Sequence, residues 1–249
     1  MEFCDVLIVG AGPSGSTVAK YVAKKGYKVI VVDSREKPGT PQQCSGLFSK
    51  NITELTNLKK NEILKEIKGV NIYSPSMQKF GLLTKKTQAY VVDRTIFDAR
   101  LANEAVCSGA KLITKMRLVN CEKNIAYFSN KTKITYKIII GADGPNSTVA
   151  KIHNYPKIEK KILGIINIYK KTSKNDFVEL YLGKNIAPDF FAWKIPRKND
   201  YELGIAAKSD TKDFFEKFIA DKTKDKKIST TAGVIPLACR KITIKQNSL

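Results

Sequence analysis

The chain has 249 residues, 43% of them hydrophobic, which is enough to bury a core in one or two domains and excludes a disordered chain. No run approaches the roughly 18 apolar residues of a membrane span, and no basic segment followed by a cleavable apolar one opens the sequence, so we expect a cytoplasmic protein. The 44 Lys and Arg against 23 Asp and Glu give a formal charge of +21, which favours an anionic partner, either nucleic acid or a negatively charged membrane surface.

A glycine signature, Gly10-Ala11-Gly12-Pro13-Ser14-Gly15, lies close to the N-terminus. It follows the apolar run Val6–Val9, which predicts a strand, and it precedes a helix-compatible stretch over residues 16–25. Strand, tight turn and helix form the context in which this signature binds a nucleotide. The sequence therefore predicts a nucleotide site here, with an ordinary glycine-rich turn as the alternative.

Each glycine of the signature has an expected task. Gly10 permits the turn, Gly12 lets a pyrophosphate approach bare backbone, and Gly15 lets the helix pack closely on the strand. A second apolar run, Val29–Val32, predicts the next strand and ends at Asp33. An acid at this position accepts hydrogen bonds from the ribose hydroxyls of a dinucleotide.

The next region mixes loop, helix and strand patterns. Residues 37–46 form a predicted loop because they are rich in Pro and Gly, and residues 52–67 have the apolar spacing of an amphipathic helix. Residues 70–73 and 80–83 read as strands around a turn. Residues 90–94 then lead into a second predicted helix over 95–106.

A second glycine motif, Gly141-Ala142-Asp143-Gly144-Pro145-Asn146-Ser147, lies about 130 residues after the first. It follows the β-branched run Lys137–Ile140, so Asp143 is expected at the carboxyl end of a buried strand, where doubly wound sheets bind ligands. Alone, the motif is also compatible with a simple turn. Together, the two glycine motifs indicate FAD.

After Lys151 the sequence changes to alternating β patterns with one helix-like stretch over residues 210–220, which predicts a mostly antiparallel second domain. We therefore expect an α/β fold with a Rossmann-like FAD-binding domain over residues 1–150. Residues 68–90 would contribute strands toward an α+β substrate-binding domain over 151–249.

Metal and disulfide chemistry are not expected. The five cysteines are an odd number with no CxxC pair, and His153 is the single histidine, so neither a disulfide scaffold nor a zinc site is indicated. The lysine clusters lack the interleaved aromatic residues of a nucleic-acid surface, so nucleic acid is not an expected partner.

With these motifs in place, the chain resembles the geranylgeranyl reductase family of FAD enzymes, especially its archaeal digeranylgeranylglycerophospholipid reductase branch. Two matching segments lie between the glycine motifs, Gln43–Gly46 and Tyr90–Arg94. A more diagnostic match is the family's substrate-domain motif of an aromatic residue, Trp and Phe-Pro-Lys, which resembles Phe191–Arg197 followed by Leu203–Ala206. The resemblance implies a p-hydroxybenzoate hydroxylase-like architecture.

The resemblance also implies roles for individual residues. Cofactor contacts would come from Gly10, Gly12, Gly15, Asp33, Cys44, Ser45, Arg94, Leu118 and Asp143. Leu118 would lie on the strand beside the adenine, and Asp143 would support the pyrophosphate and ribityl region. Phe191, Trp193 and Ile195 would line an apolar substrate tunnel, with ordinary sheet core as the alternative. Cys44 is the candidate catalytic residue, with a small packing role as the alternative.

Several positions depart from the family pattern. Ile195 replaces a Phe, Arg197 a Lys and Asp33 the more usual Glu, and each substitution keeps the physical character of the residue. The loop at Cys44 reads Cys-Ser-Gly rather than Cys-Gly-Glu. The family continues past Gly233–Pro236 into a third glycine motif that this sequence does not contain, so the second domain is expected to be incomplete at its C-terminal end.

The implied reaction is reduction of isoprenoid double bonds in a membrane lipid or its precursor by hydride from reduced flavin, together with a proton. An anionic membrane surface is an expected partner, with peripheral attachment, while no nicotinamide site is evident and the electron donor stays unidentified. Two alternatives remain open: a flavin monooxygenase or halogenase of the same architecture, and a non-catalytic fragment that binds nucleotide or lipid.

Overall fold

The computed structural model describes residues 1–170, 176–239, 241 and 244. The strands are β1 (Glu2–Val9), β2 (Val29–Val32), β3 (Leu47–Ser49), β4 (Ile63–Ile67), β5 (Gly69–Tyr73), β6 (Lys79–Leu83), β7 (Ala89–Val92), β8 (Lys111–Ile113), β9 (Leu118–Glu122), β10 (Ile125–Phe128), β11 (Lys133–Gly141), β12 (Lys161–Lys170), β13 (Val178–Leu182), β14 (Phe191–Pro196), β15 (Asp200–Ala207) and β16 (Lys227–Pro236). The helices are α1 (Pro13–Ala23), α2 (Ile52–Thr56), α3 (Arg94–Cys107), α4 (Thr148–Ile152) and α5 (Thr211–Lys222).

These elements form two compact units that alternate along the chain. The first unit contains residues 1–40 and 95–159 with the described residues of 238–249, and the second contains residues 41–94 and 160–237. The chain therefore passes between the units after residues 40, 94, 159 and 237. The predicted domains over residues 1–150 and 151–249, with residues 68–90 contributing strands toward the later one, stay a prediction. Which unit binds substrate stays a prediction.

The first unit is built on a six-stranded sheet of order β8-β2-β1-β11-β10-β9. β1 pairs in parallel with both β2 and β11, and β10 and β9 continue the sheet in antiparallel fashion. Leu7 packs on one face of β1 with Phe128, and Ile8 packs on the other face with Ala19 of α1. Both faces of β1 are thus buried, which explains its continuous apolar run.

The second unit contains a seven-stranded sheet of order β16-β12-β15-β14-β13-β5-β6 and a three-stranded sheet of order β3-β7-β4. The larger sheet is antiparallel except for the parallel pair of β13 and β5. Its two faces belong to different cores. Leu203 and Ile205 pack with α5 on one face, and Trp193 and Ile195 pack on the other.

The predicted helix over residues 52–67 is wrong. Helix α2 ends at Thr56, because Asn57 has a left-handed backbone with φ of 49°. Residues 63–67 are instead the strand β4, which pairs with β7. Leu55, one of the apolar residues that gave this segment its helical spacing, is 78% exposed. Short segments can have helical spacing of apolar residues by chance. Here the pairing of β4 with β7 overrides that local pattern.

The other predicted strands and helices are present, with boundaries shifted by a few residues. Within the described residues, none of the helices combines the length and apolar character needed to cross a bilayer.

Candidate functional site

The first glycine turn is closed by contacts that leave no room for a side chain at Gly10. Its N–H donates to the Val32 carbonyl at 2.7 Å, and its φ is +106°. A Cβ atom placed on Gly10 would lie 2.3 Å from the carbonyl oxygen of Ala142. This oxygen belongs to the second glycine motif, so the two motifs are in direct contact.

Gly12 and Gly15 differ in their surroundings. A Cβ on Gly15 would lie 1.9 Å from the carbonyl oxygen of Gly10, so this glycine allows the first turn of α1 to pack against the preceding loop. A Cβ on Gly12 would meet no atom within 4 Å. Because Gly12 precedes the N-terminus of α1, where backbone N–H groups lack partners within the helix, the open space beside it fits a pyrophosphate.

Asp33 links β2 to the glycine turn. Its Oδ2 accepts the Ala11 N–H at 2.8 Å, and its Oδ1 accepts the Arg35 backbone N–H at 2.8 Å. The Arg35 guanidinium donates to both oxygens at 3.1 Å. Burial opposes ionisation of Asp33, but the hydrogen bonds from Arg35 and Ala11 prevail and hold the pKa of this carboxyl below its usual range.

This arrangement adds a condition to the predicted ribose contact. A carboxylate has about four lone-pair sites, and Ala11 and Arg35 together donate four hydrogen bonds to Asp33. A ribose hydroxyl would therefore have to displace part of the Arg35 guanidinium. Arg35 was not identified from the sequence, although its position two residues after the acid was a usable signal.

The second glycine motif lies at the end of β11, next to the end of β1. Val9 and Gly141 are partners in the parallel ladder, and the Ala142 N–H donates to the Val9 carbonyl at 2.7 Å. Asp143 Oδ2 accepts the N–H groups of Thr148 and Val149 at the start of α4, at 2.6 and 3.2 Å. Its position at the carboxyl end of a strand is thus as predicted.

The other oxygen of Asp143 is a candidate ligand contact. Asp143 Oδ1 is buried and accepts no hydrogen bond from any described residue. A buried carboxylate oxygen without a donor is costly, so a donor from a bound molecule would stabilise it. The open space at Gly12 and this oxygen together fit a dinucleotide cofactor.

Two further predicted cofactor residues have clear local roles. Arg94 begins α3, and its guanidinium lies 5.7 Å from the ring centre of Phe48. Leu118 begins β9 and is buried with Phe128 in the core of the first unit. Their contacts with a cofactor stay predictions.

The second unit contains an apolar cavity of about 740 Å³ between its two sheets. This volume lies within the range of roughly 300–1,000 Å³ that is usual for small-molecule sites. Five residues predicted for the site line it together: Cys44, Ser45, Phe191, Trp193 and Ile195. The last three alternate along β14 and therefore share one face of the sheet.

Glycines enlarge the cavity on the sheet side. Gly164 of β12 and Gly233 of β16 are paired in the antiparallel ladder, and both line the cavity. Their backbones have no positive φ, so glycine is not required there by conformation. The absence of side chains at this pair leaves space next to Trp193 and Ile166, which also line the cavity.

Cys44 lies in the loop that borders this cavity and is exposed. Its Sγ accepts the Gly46 N–H at 3.5 Å, and Ser45 Oγ accepts the Leu47 N–H at 3.4 Å. These contacts shape the turn before β3. They leave the thiol accessible from the cavity side, which keeps both the catalytic and the packing interpretation open.

Trp193 is held in place by two residues of β15. A Cβ on Gly204 would lie 2.3 Å from the indole ring, so only glycine leaves space for the ring at this position. The Trp193 Nε1–H donates to Glu202 Oε1 at 2.6 Å. Burial raises the pKa of Glu202 to about 7, although the hydrogen bond from Trp193 and the charge of Arg197 act in the opposite direction.

Glu202 was not singled out from the sequence. The available signal was the period of two in β15, which places Glu202 and Gly204 on the same face.

Residues 3–231 match the family model described as FAD binding domain. The chain belongs to this FAD-binding domain family. The predicted cofactor, FAD, is thereby confirmed, as is the predicted fold class of a Rossmann-like unit with a mostly antiparallel α+β unit.

Relatives within this family support the resemblance to geranylgeranyl reductases. A digeranylgeranylglycerophospholipid reductase of Methanocaldococcus jannaschii is 30% identical over 232 residues, which are 86% of this chain and 59% of that protein. A solved structure, the geranylgeranyl bacteriochlorophyll reductase-like protein of Thermoplasma acidophilum, matches with a TM-score of 0.85 at 27% identity and covers 96% of this chain and 67% of that one. The chain thus spans about three fifths of the length of the M. jannaschii relative.

A more distant solved structure, a flavin-dependent brominase, matches with a TM-score of 0.72 at 16% identity and covers 93% of this chain and 67% of that one. This likeness shows the fold alone. It does not favour halogenation for the FAD-binding chain described here.

Proposed function

We propose that this chain forms the FAD-binding and prenyl-binding part of an oxidoreductase that reduces isoprenoid double bonds of a membrane lipid or its precursor. The observation that carries the proposal is the apolar cavity lined by both the Cys44 loop and the Phe191–Ile195 face of β14. The relatives named for digeranylgeranylglycerophospholipid and geranylgeranyl substrates support the same substrate class.

The residues of the first unit would bind and orient the cofactor. The space beside Gly12 would receive the pyrophosphate against the N-terminus of α1, and Asp143 Oδ1 would accept a hydrogen bond from the bound molecule. Asp33 would contact the ribose after partial release of Arg35. When bound and reduced, FAD would supply the hydride for one carbon of the double bond.

The second unit would hold the isoprenoid chain and exclude water. An unactivated alkene accepts hydride poorly, so alignment in a dry site must contribute strongly, and good alignment can lower a barrier by roughly 7–11 kcal/mol. The other alkene carbon needs a proton, for which Cys44 Sγ is the candidate donor. Because Cys44 is exposed, its thiolate would regain a proton from solvent.

We also propose that the protein attaches to an anionic membrane. The excess of 21 positive charges would attract an anionic bilayer in which a prenyl lipid resides. The proposed reaction also requires an electron donor that reduces the flavin again after each turnover.

The test is anaerobic turnover of the FAD-loaded chain, reduced with dithionite, on a geranylgeranyl lipid, with the product measured by mass spectrometry. We expect each reduced double bond to gain a hydrogen pair, and both hydrogens to derive from solvent because dithionite supplies only electrons. Cys44→Ala is expected to slow this reduction at normal flavin content, and Cys107→Ala, an exposed cysteine in the other unit, is the matched control.

Two results would contradict the proposal. If the chain neither reduces nor binds a geranylgeranyl lipid, the cavity has another occupant. If the reduced protein instead forms a long-lived oxygen adduct and an oxygenated product in air, the monooxygenase alternative is correct. Equal rates for Cys44→Ala and wild type would remove only the role of Cys44.

A further inference from the structure

We propose that the outer edge of the β5–β6 hairpin docks on an anionic lipid bilayer and opens the apolar cavity directly to it. We call this surface the hairpin edge, and its residues are Met77, Lys79, Phe80, Leu82, Leu83, Lys85 and Lys86. The inference deepens the proposed function, because it names the surface through which a prenyl chain would enter.

The hairpin edge is apolar where a soluble protein would usually be polar. β6 is the terminal strand of the seven-stranded sheet, and all five of its residues are exposed. Phe80 is 61% exposed and Leu83 is 72% exposed, and Met77 is exposed at the turn. Exposed edge strands are normally protected by charge, proline or a covering element, so this apolar group needs an explanation.

The charge of the segment points to an anionic partner. Residues 68–88 contain four lysines, Lys68, Lys79, Lys85 and Lys86, and no acidic residue. The Glu66 carboxylate of β4 accepts a hydrogen bond from Thr87 Oγ1 at 2.9 Å, and Glu179 of β13 is the ladder partner of Asn71. Exposed apolar side chains surrounded by lysines match the boundary between acyl chains and anionic headgroups.

The hairpin edge is continuous with the cavity. Leu82 pairs with Val70 of β5, and both residues line the cavity. Lys68 and Thr84, which flank the two hairpin strands, line it as well. Since Phe80 and Leu82 share a strand face, the apolar lining extends from inside the cavity onto the exposed edge. A chain leaving the bilayer at this edge would stay in contact with apolar side chains.

The test is cosedimentation of the protein with vesicles of phosphatidylglycerol and phosphatidylcholine, compared with pure phosphatidylcholine vesicles. Neither vesicle contains an isoprenoid, so the result does not depend on the proposed reaction. Reductase activity in detergent would likewise survive if the docking surface were wrong. We expect wild type to bind the anionic vesicles and to lose binding as salt is raised.

The decisive variants alter the hairpin edge. Lys79→Gln, Lys85→Gln and Lys86→Gln combined are expected to lower partitioning onto anionic vesicles by on the order of 100-fold. The matched control combines Lys208→Gln, Lys217→Gln and Lys224→Gln, three exposed lysines on or beside α5, and is expected to bind within about three-fold of wild type. Phe80→Ser with Leu83→Ser tests the apolar contribution, and binding is expected to fall at least about ten-fold.

Trp193 fluorescence and FAD binding would show that each variant is folded. If the control variant with three lysines replaced on or beside α5 loses vesicle binding to the same extent, net charge alone drives attachment and the proposal is wrong. It would also fail if no vesicle is bound, or if Phe80→Ser with Leu83→Ser converts a dimer into a monomer, since the edge would then join two copies of the chain.

Discussion

Glu202 is a buried carboxyl next to the single tryptophan of the chain. Its Oε2 has no hydrogen-bond partner among the described residues, and its side chain is 1% exposed. Leaving a buried oxygen without a donor costs stability. The benefit that we infer is a fixed orientation of Trp193, whose indole forms a wall of the cavity.

The raised pKa of Glu202 gives a measurable pH dependence. Because burial raises the folded-state pKa to about 7 from 4.5, the stabilising contribution of the proton is complete below about pH 4.5 and is lost as the pH rises through about 7. Glu202→Gln keeps an oxygen acceptor for the Trp193 N–H and removes the ionisation. We expect the free energy of unfolding of wild type to fall by about 2 to 3 kcal/mol more than that of the variant between pH 5 and pH 8.

Urea unfolding followed by Trp193 fluorescence measures this difference. Glu216→Gln, an exposed glutamate of α5 whose side chain is 62% exposed, is the control and should retain the wild-type pH dependence. If Glu202→Gln and wild type change equally with pH, Glu202 does not titrate in this range and the assigned cause is wrong.

Some residues of the candidate site could be predicted from the sequence, and others could not. Gly10, Gly12 and Asp143 were singled out because their motifs have a fixed spacing that follows from backbone approach and packing, and Trp193 was singled out through the resemblance to the family's substrate-domain motif. Glu202 was missed because its role depends on the cross-strand neighbourhood of β14 and β15, which no local spacing encodes.

At the scale of elements, the two glycines of the β12–β16 pair set the space available in the cavity. A Cβ on Gly164 would lie 3.1 Å from Ile235 Cδ1, the flexible end of a side chain, so a larger residue can be accommodated. Gly164→Val would fill part of the cavity without backbone strain. We expect the affinity for geranylgeraniol to fall roughly ten-fold, with little change for geraniol.

Quenching of Trp193 fluorescence measures both affinities. Ser229→Val adds a similar side chain at an exposed position of β16 and is expected to leave them unchanged. An equal loss of affinity for geranylgeraniol and geraniol would show that the Gly164→Val substitution disturbs the sheet. Unchanged affinities for both would show that Gly164 does not border the bound chain.

Strands and helices with a strong pattern of apolar residues were predicted well, and those with a weak pattern were not. β1 and β2 were recognised because both faces are buried, which produces continuous β-branched runs. The segment 52–67 was misread because four apolar residues happened to have helical spacing, while β4 pairs with β7, a strand that is distant in sequence and that no local pattern identifies as its partner. β8, β9 and β10 were too short or too polar to show alternation.

At the scale of the whole molecule, the chain forms two units that share no single boundary. The second unit takes β3 to β7 from the middle of the sequence and β12 to β16 from its later part. The sequence indicated only that residues 68–90 contribute strands toward the later domain, because changes in residue pattern along the chain do not show where the chain passes between units. The cavity depends on both parts, since Cys44 and Trp193 come from different segments.

The central claim is that the joined glycine motifs of the first unit bind FAD. Gly12→Ala isolates this claim, because the added Cβ would touch no protein atom yet would occupy the space assigned to the pyrophosphate. Gly10→Ala, in contrast, is expected to destabilise folding by about 1–3 kcal/mol through its clash with Ala142 and its positive φ.

The most direct measurement is calorimetric titration of FAD into the purified wild-type chain and into Gly12→Ala, with thermal unfolding curves of both proteins. The account predicts that wild type binds FAD, and that Gly12→Ala unfolds at the same temperature but binds at least about ten-fold more weakly. Failure of wild type to bind FAD, or equal affinity of the two proteins, would contradict it.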